Sequence, residues 1–157
     1  MLRAIVVVGF ILGLISVIVF GPTWMQTTEN KATDTDLPAC DLLSGPCDWE
    51  AESGQWQVEL KTIGDKGQGT EYELRVIAPA APDRFLAVLR GESMYMGEYP
   101  VPLRSEKDGS YSAHFTAPFC TIDSEMVWRI DLQAGQNALS EPTPLKLTFQ
   151  AQHNPRP

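Results

Sequence analysis

The sequence predicts an all-β domain, an antiparallel β-sandwich of about seven strands, preceded by one N-terminal transmembrane helix. Three observations support this fold class. An uncharged apolar run occupies residues 4–24, apolar and polar side chains alternate along much of residues 55–150, and turns rich in glycine and proline separate the alternating segments. A two-residue period is typical of strands that are buried on one face, and several such strands fit two packed sheets.

Residues 1–24 have the length and composition of a membrane anchor. The apolar run just reaches the roughly 20 residues that a helix needs to cross about 30 Å of hydrocarbon. Trp24 follows it with a side chain that suits the membrane interface. A cleaved signal peptide is the alternative, but the run is longer than a usual signal core and no small-x-small cleavage motif follows it. We therefore expect an uncleaved anchor.

The basic residues predict the orientation of this anchor. Arg3 precedes the apolar run, and lysine and arginine are retained on the cytoplasmic side of a membrane. The N-terminus is thus expected in the cytoplasm and residues 25–157 on the other side. In a Gram-negative bacterium, the protein would be a single-pass protein of the inner membrane with its domain in the periplasm.

The charge of the part beyond the anchor excludes some partners. Arg3 is the only charged residue before residue 25, so 11 basic and 20 acidic residues remain, a formal charge of −9. This balance argues against nucleic-acid binding and against adsorption to anionic lipid. Residues 25–54 are predicted to be a tether that includes the Cys40/Cys47 loop, residues 55–150 the sandwich, and residues 151–157 a flexible tail.

The alternating segments give the order of the strands. Alternation is found in residues 56–60, 72–76, 111–115, 126–132 and 145–149. Residues 84–90 are apolar on both faces and are predicted to form a central strand. Turns are predicted at residues 64–69, 79–82 and 134–137, and the Asp108-Gly109 pair predicts a hairpin. Short strands at this spacing, with no helix beyond the membrane, indicate a sandwich of immunoglobulin type.

Three cysteines lie beyond the anchor: Cys40, Cys47 and Cys120. In an oxidising compartment we expect two of them to pair and one to remain. A Cys40–Cys47 bridge would close a short loop, whereas a bridge from either residue to Cys120 would attach the segment before the first strand to the sandwich. The sequence leaves all three pairings open.

A pair of methionines suggests a metal site. On a strand, Met94 and Met96 would project to the same side and present two thioethers, which are soft ligands that suit Cu(I). Cys120 and His114 lie on following segments and would complete the site, with Met126 or Cys47 as further candidates. The alternative is that these methionines fill gaps in the core.

Several short motifs lie between residues 40 and 132: Cys40-Asp41-Leu42, Gly45-Pro46-Cys47, Met94-x-Met96-Gly97, Leu103, Asp108-Gly109-x-Tyr111, Cys120 and Met126-x-Trp128-x-Ile130. The last five, from Met94 onward, resemble the YtkA-like and FixH-like group of small immunoglobulin-type domains, many of them membrane-anchored. The first two resemble the opening of uncharacterised proteobacterial membrane proteins. The resemblance implies an accessory role in copper handling or cytochrome oxidase assembly.

Motifs of catalysis are missing from the sequence. It contains no Cys-x-x-Cys, no glycine-rich phosphate loop after a strand and no local pattern for a Ser/His/Asp arrangement, so we do not expect an enzyme. We expect an extracytoplasmic accessory protein that handles copper or assists a membrane-bound respiratory or assembly protein. The alternative is a metal-free interaction or structural module that docks on a membrane complex.

Overall fold

Eleven β-strands form the described part of the protein. The computed structural model describes residues 37–65, 69–117 and 125–152. Its strands, in chain order, are β1 (Ala39–Asp41), β2 (Cys47–Ala51), β3 (Gly54–Asp65), β4 (Thr70–Ile77), β5 (Phe85–Gly91), β6 (Glu98–Pro102), β7 (Arg104–Ser105), β8 (Tyr111–Thr116), β9 (Glu125–Ala134), β10 (Asn137–Ala138) and β11 (Lys146–Gln152). No helix in these three ranges is long and apolar enough to cross a membrane.

The strands form two sheets. Sheet I has the order β1-β11-β9-β5-β6, with β10 paired to the end of β9, and sheet II has the order β2-β3-β4-β8-β7. All neighbouring strands are antiparallel except β1, which runs parallel to β11. The described part of the chain is therefore all-β with two largely antiparallel sheets, as the alternating pattern predicts.

Alternate side chains from both sheets form one core. In sheet II the buried residues include Val58, Leu74 and Val76, and in sheet I they include Trp128 and Phe149, all at most 1% exposed. These residues belong to the predicted alternating segments, which the structure confirms as β3, β4, β9 and β11. The predicted central strand is β5, which lies between β9 and β6.

Aromatic rings from both sheets meet in the interior of the sandwich. Tyr72 of β4 packs edge-on against Phe149 of β11, with ring centroids 5.1 Å apart, and Phe115 of β8 lies 5.8 Å from Tyr72. Edge-to-face pairs at this distance add to the energy of simple area burial. This cluster joins the middle strands of sheet II to sheet I.

Strands begin earlier in the chain than the predicted boundary at residue 55. Residues 39–41 and 47–51, which the sequence pattern assigns to the tether, are β1 and β2. The physical reason lies in β2, where buried Cys47 and Trp49 alternate with exposed Asp48 and Glu50 and a turn at residues 52–53 folds the strand back onto β3. At the other end β11 continues to residue 152, one position beyond the predicted start of the tail.

Four segments with predicted roles lie outside the described residues. They are the predicted transmembrane helix (residues 1–24), the first part of the predicted tether (residues 25–36), the segment 118–124, which contains Cys120, and residues 153–157 of the predicted tail. The tip of the predicted 64–69 turn, residues 66–68, is outside them as well. The Asp108-Gly109 hairpin is confirmed: it joins β7 to β8, and Gly109 has a φ of +82°.

Candidate functional site

The two methionines of the predicted metal site lie in a loop. Residues 92–97 connect β5 to β6 and are not part of a strand, so Met94 and Met96 do not share a strand face. Two features explain the loop. Glu92 leaves the strand with its backbone N–H donating to the carbonyl of Val127 over 2.9 Å, and Gly97 has a φ of +88°, a conformation that favours glycine.

Gly91 allows the loop to fold closely onto the end of β5. A Cβ atom at this position would lie 2.1 Å from the carbonyl oxygen of Met94 and 2.7 Å from Cε of Met126. Both distances are shorter than any ordinary contact, and the nearer partner is backbone. The absence of a side chain at Gly91 therefore permits the close approach of the Met94 backbone to the end of β5.

The side chains of the loop differ greatly in exposure. Tyr95 is 85% exposed and Met94 is 53% exposed, whereas Met96 is partly buried against the core. Met126 is 3% exposed and belongs to the core. The structure thus presents one thioether, that of Met94, beside an aromatic ring at the tip of the loop, and places Met96 and Met126 in packing roles.

The base of the loop rests on a buried tryptophan. Tyr99, the second residue of β6, packs edge-on against Trp128 with ring centroids 5.5 Å apart, and 37% of it remains exposed. Trp128 itself is fully buried. We give the three exposed large side chains at the tip and base of this loop one name, the Met94–Tyr99 surface: Met94, Tyr95 and Tyr99.

An ion-pair network lies beside this surface, on the side of sheet I that faces away from the core. Glu92 contacts Lys146 Nζ at 2.6 Å, Arg90 contacts Glu98 at 2.9 Å, and Arg90 also contacts Asp131 at 2.6 Å. Glu92 precedes the loop tip and is attached to β11 through Lys146, and Glu98 follows the tip and is attached to β5 through Arg90. The network is partly exposed, so we assign it a positioning role rather than a large stabilisation.

His114 lies on the other sheet from the loop. It is an exposed residue of β8, directly opposite Glu73 of β4, and its Nε2 is 3.5 Å from Glu73 Oε1. Its neighbours Ala113 and Phe115 point toward the core, so His114 points away from it on the outer side of sheet II. The structure therefore does not bring His114 together with the loop of Met94 and Met96.

Cys40 and Cys47 form a disulfide, with Cα atoms 6.1 Å apart. This is one of the three pairings that the sequence allows, and it closes residues 41–46 into a turn. Leu42 in this turn is only 1% exposed and packs in the core, while Asp41 accepts hydrogen bonds from the Leu43 amide and the Ser44 hydroxyl. Cys120, the remaining cysteine, is outside the described residues.

Within residues 37–65, 69–117 and 125–152, no three side chains of histidine, cysteine, aspartate or glutamate are grouped so that they could hold a metal ion. The residues that sequence reasoning missed are Tyr95 and Tyr99. Their signal is weak but present: Tyr95 stands between two methionines in a segment that glycines bound on both sides.

Comparison with known proteins finds no relative of this chain. No family model matches the chain. No curated protein and no solved structure is significantly similar to it.

Proposed function

We propose that this protein is a membrane-anchored accessory protein whose sandwich binds a membrane-bound partner protein through the Met94–Tyr99 surface. The observation that carries the proposal is the exposure of Tyr95, at 85%, in a loop whose base is tightly packed. Large apolar side chains on a fixed backbone cost little conformational entropy when they are buried by a partner. Tyrosine is also one of the residues that dominate binding energy at protein interfaces.

Residues 1–24 supply the membrane part of this proposal. Their uncharged apolar run and the single preceding Arg3 support a helix with its N-terminus in the cytoplasm. Such an anchor would hold the sandwich near other membrane proteins and raise its effective concentration there. The acidic domain supports a protein partner with basic groups around its docking site, rather than nucleic acid or anionic lipid.

The order of the strands supports an immunoglobulin-type topology for the sandwich. Without β2, sheet II has the order β3-β4-β8-β7, which corresponds to the order A-B-E-D of that fold. Sheet I places β11, β9, β5 and β6 side by side, which is the order G-F-C-C′. In this scheme the loop at residues 92–97 connects strands C and C′, and β2 is an addition at the A edge.

The partner is tested by isolating the full-length protein from its native membrane in mild detergent. We expect a membrane protein to co-purify with the wild type. We expect the yield of this partner to fall about tenfold or more with Tyr95→Ala, because a tyrosine at the centre of an interface contributes much of the binding energy. Ile77→Ser is the matched control, because Ile77 is also a large exposed residue, at 44%, but lies on β4 of sheet II. Equal recovery of the partner with Tyr95→Ala and with the wild type would contradict binding through the Met94–Tyr99 surface.

Copper handling is the second candidate function, and one observation favours it. The thioether of Met94 is exposed, and Met96 lies two residues away in the same loop. Thioethers select Cu(I), and Cys120 remains a candidate ligand. The test is competition for Cu(I) against a chromogenic chelator with the full-length protein. We expect submicromolar binding that the double variant Met94→Leu/Met96→Leu lowers at least tenfold, and unchanged binding would reject copper at this loop.

A further inference from the structure

β2 has a free edge. It is the outermost strand of sheet II, and none of the residues in 37–65, 69–117 or 125–152 forms a ladder with its outer side. All five of its residues pair in register with β3, and none is glycine or proline. The unpaired backbone N–H and C=O groups of such an edge are able to form a ladder with another extended chain.

This strand is held rigidly from the inside of the sandwich. Cys47 is 1% exposed and is joined to Cys40 by the disulfide, and the ring of Trp49 stacks on Trp56 with centroids 5.7 Å apart. A partner strand would therefore meet an edge that is already in β conformation. Such preorganisation lowers the entropy that binding must overcome.

The other edges of the two sheets are protected or short. β6 contains Pro100 and Pro102, whose nitrogens cannot donate to a ladder. β7 has two residues and β1 has three. β2 is therefore the longest edge strand without proline in the described part of the chain.

The charges on β2 indicate what kind of chain would bind. Asp48 and Glu50 are exposed on the outer side of the sheet, and neither forms an ion pair with a described residue. Asp48 is oriented by Gln57, whose Nε2 donates to its Oδ1 over 2.8 Å. By contrast, two acidic residues on other strands form ion pairs: Glu59 lies 3.0 Å from Lys61 Nζ, and Asp131 lies 2.6 Å from Arg90 Nη1.

We propose that β2 binds an extended segment of another protein as an additional strand of sheet II, and that this segment carries lysine or arginine at alternate positions. Basic side chains two residues apart would lie on the same side of the sheet as Asp48 and Glu50. A second copy of this chain fits poorly, because antiparallel pairing of two β2 strands sets these carboxylates against each other. The proposal does not depend on the Met94–Tyr99 surface.

The test uses the full-length protein in detergent micelles at low ionic strength. The probe is a fluorescein-labelled heptapeptide of alternating lysine and valine, and binding is followed by fluorescence anisotropy. We expect binding, together with at least tenfold slower hydrogen exchange of those backbone amides in residues 47–51 that point away from β3. The same peptide with every backbone nitrogen methylated keeps its charge but has no backbone N–H to donate to a ladder, and we expect no binding of that peptide.

Matched variants separate the strand from general electrostatic attraction. Asp48→Asn/Glu50→Gln is expected to weaken binding roughly threefold to tenfold, in the range of two exposed ion pairs. Asp83→Asn/Glu106→Gln makes the same change in net charge elsewhere and is expected to leave the affinity within about twofold. The proposal is overturned if the methylated peptide binds equally, if both double variants weaken binding alike, if protection falls outside β2, or if no binding is seen at millimolar peptide.

Discussion

Cys40 and Cys47 join the two sheets at one edge of the sandwich. Cys40 lies in β1, the outer strand of sheet I, and Cys47 lies in β2, the outer strand of sheet II, although the two residues are only seven positions apart. The turn between them fills the gap with Leu42, which is 1% exposed. A bridge of short sequence separation thus links the outer strands of the two sheets, β1 and β2.

Loss of this disulfide is expected to destabilise the fold. For Cys40→Ser we expect the free energy of unfolding to fall by roughly 2–3 kcal/mol, the size that chain entropy gives for a short closed loop. Chemical denaturation of the full-length protein, followed by tryptophan fluorescence, measures the change. Cys120→Ser is the control for pairing: an equal loss of stability in that variant would show that Cys120 takes part in the bridge.

Gly91→Ala is expected to disturb the loop that carries Met94 and Tyr95. The added methyl group would lie 2.1 Å from the Met94 carbonyl oxygen, and backbone must move to admit it. We expect a loss of about 1–3 kcal/mol in the free energy of unfolding, the usual cost of overpacking, and a change in the amide NMR shifts of residues 92–97.

Gly64→Ala is the matched control for this substitution. Gly64 also lies in a strand, and a Cβ atom there would meet no atom within 4 Å. Both variants lose the same glycine flexibility, so their difference isolates the close approach to Met94. Equal stability of the two variants would contradict the packing described for Gly91.

Much of the sandwich follows from local periodicity, and its edges do not. The middle strands β4 and β9 bury every second residue over most of their length, so their pattern appears directly in the sequence. β2 has only two buried residues, Cys47 and Trp49. An alternating pattern of this length does not distinguish a strand from a tether. β6 is interrupted by Pro100 and Pro102, which are acceptable on an edge strand but weaken any strand prediction.

The candidate site was less predictable because it depends on contacts between distant residues. Met94 and Met96 have the spacing of a strand, but the close packing of Gly91 against Met94 and Met126 turns the chain into a loop. Local periodicity carries no information about that contact with β9. The position of His114 on the other sheet is likewise a consequence of sheet order, which short motifs do not specify.

Asp108 is expected to stabilise the β7–β8 hairpin in a pH-dependent way. Hydrogen bonds from the Ser110 hydroxyl and the Ser110 amide, and then the Arg75 guanidinium, hold the pKa of Asp108 below its ordinary value. Because the folded state favours the ionised carboxylate, the contribution is complete above the ordinary pKa of an aspartate. It is lost as the pH falls through the lowered pKa of the folded state.

Carboxyl NMR titration measures this effect directly. We expect Ser110→Ala to raise the pKa of Asp108 toward its ordinary value, because it removes the hydroxyl donor that lies 2.6 Å from Oδ1. Arg75→Gln is expected to raise it less, because the guanidinium contributes less to the pKa shift than the Ser110 hydrogen bonds. A pKa of Asp108 that stays the same in Ser110→Ala would refute the assignment.

Tyr72 is expected to limit the stability of the fold at alkaline pH. Burial raises the pKa of its phenol, and a hydrogen bond with Thr70 offsets only part of this effect. The unfolded chain therefore releases the Tyr72 proton at a lower pH than the folded chain does, and stability falls as the pH rises above about 10. We expect the free energy of unfolding of Tyr72→Phe to decrease less between pH 9 and 11 than that of the wild type. Denaturant titrations at each pH provide the comparison. Tyr95→Phe is the control, because the Tyr95 ring is 85% exposed. Equal losses of stability in the wild type and in Tyr72→Phe would show that the buried phenol does not govern the alkaline limit.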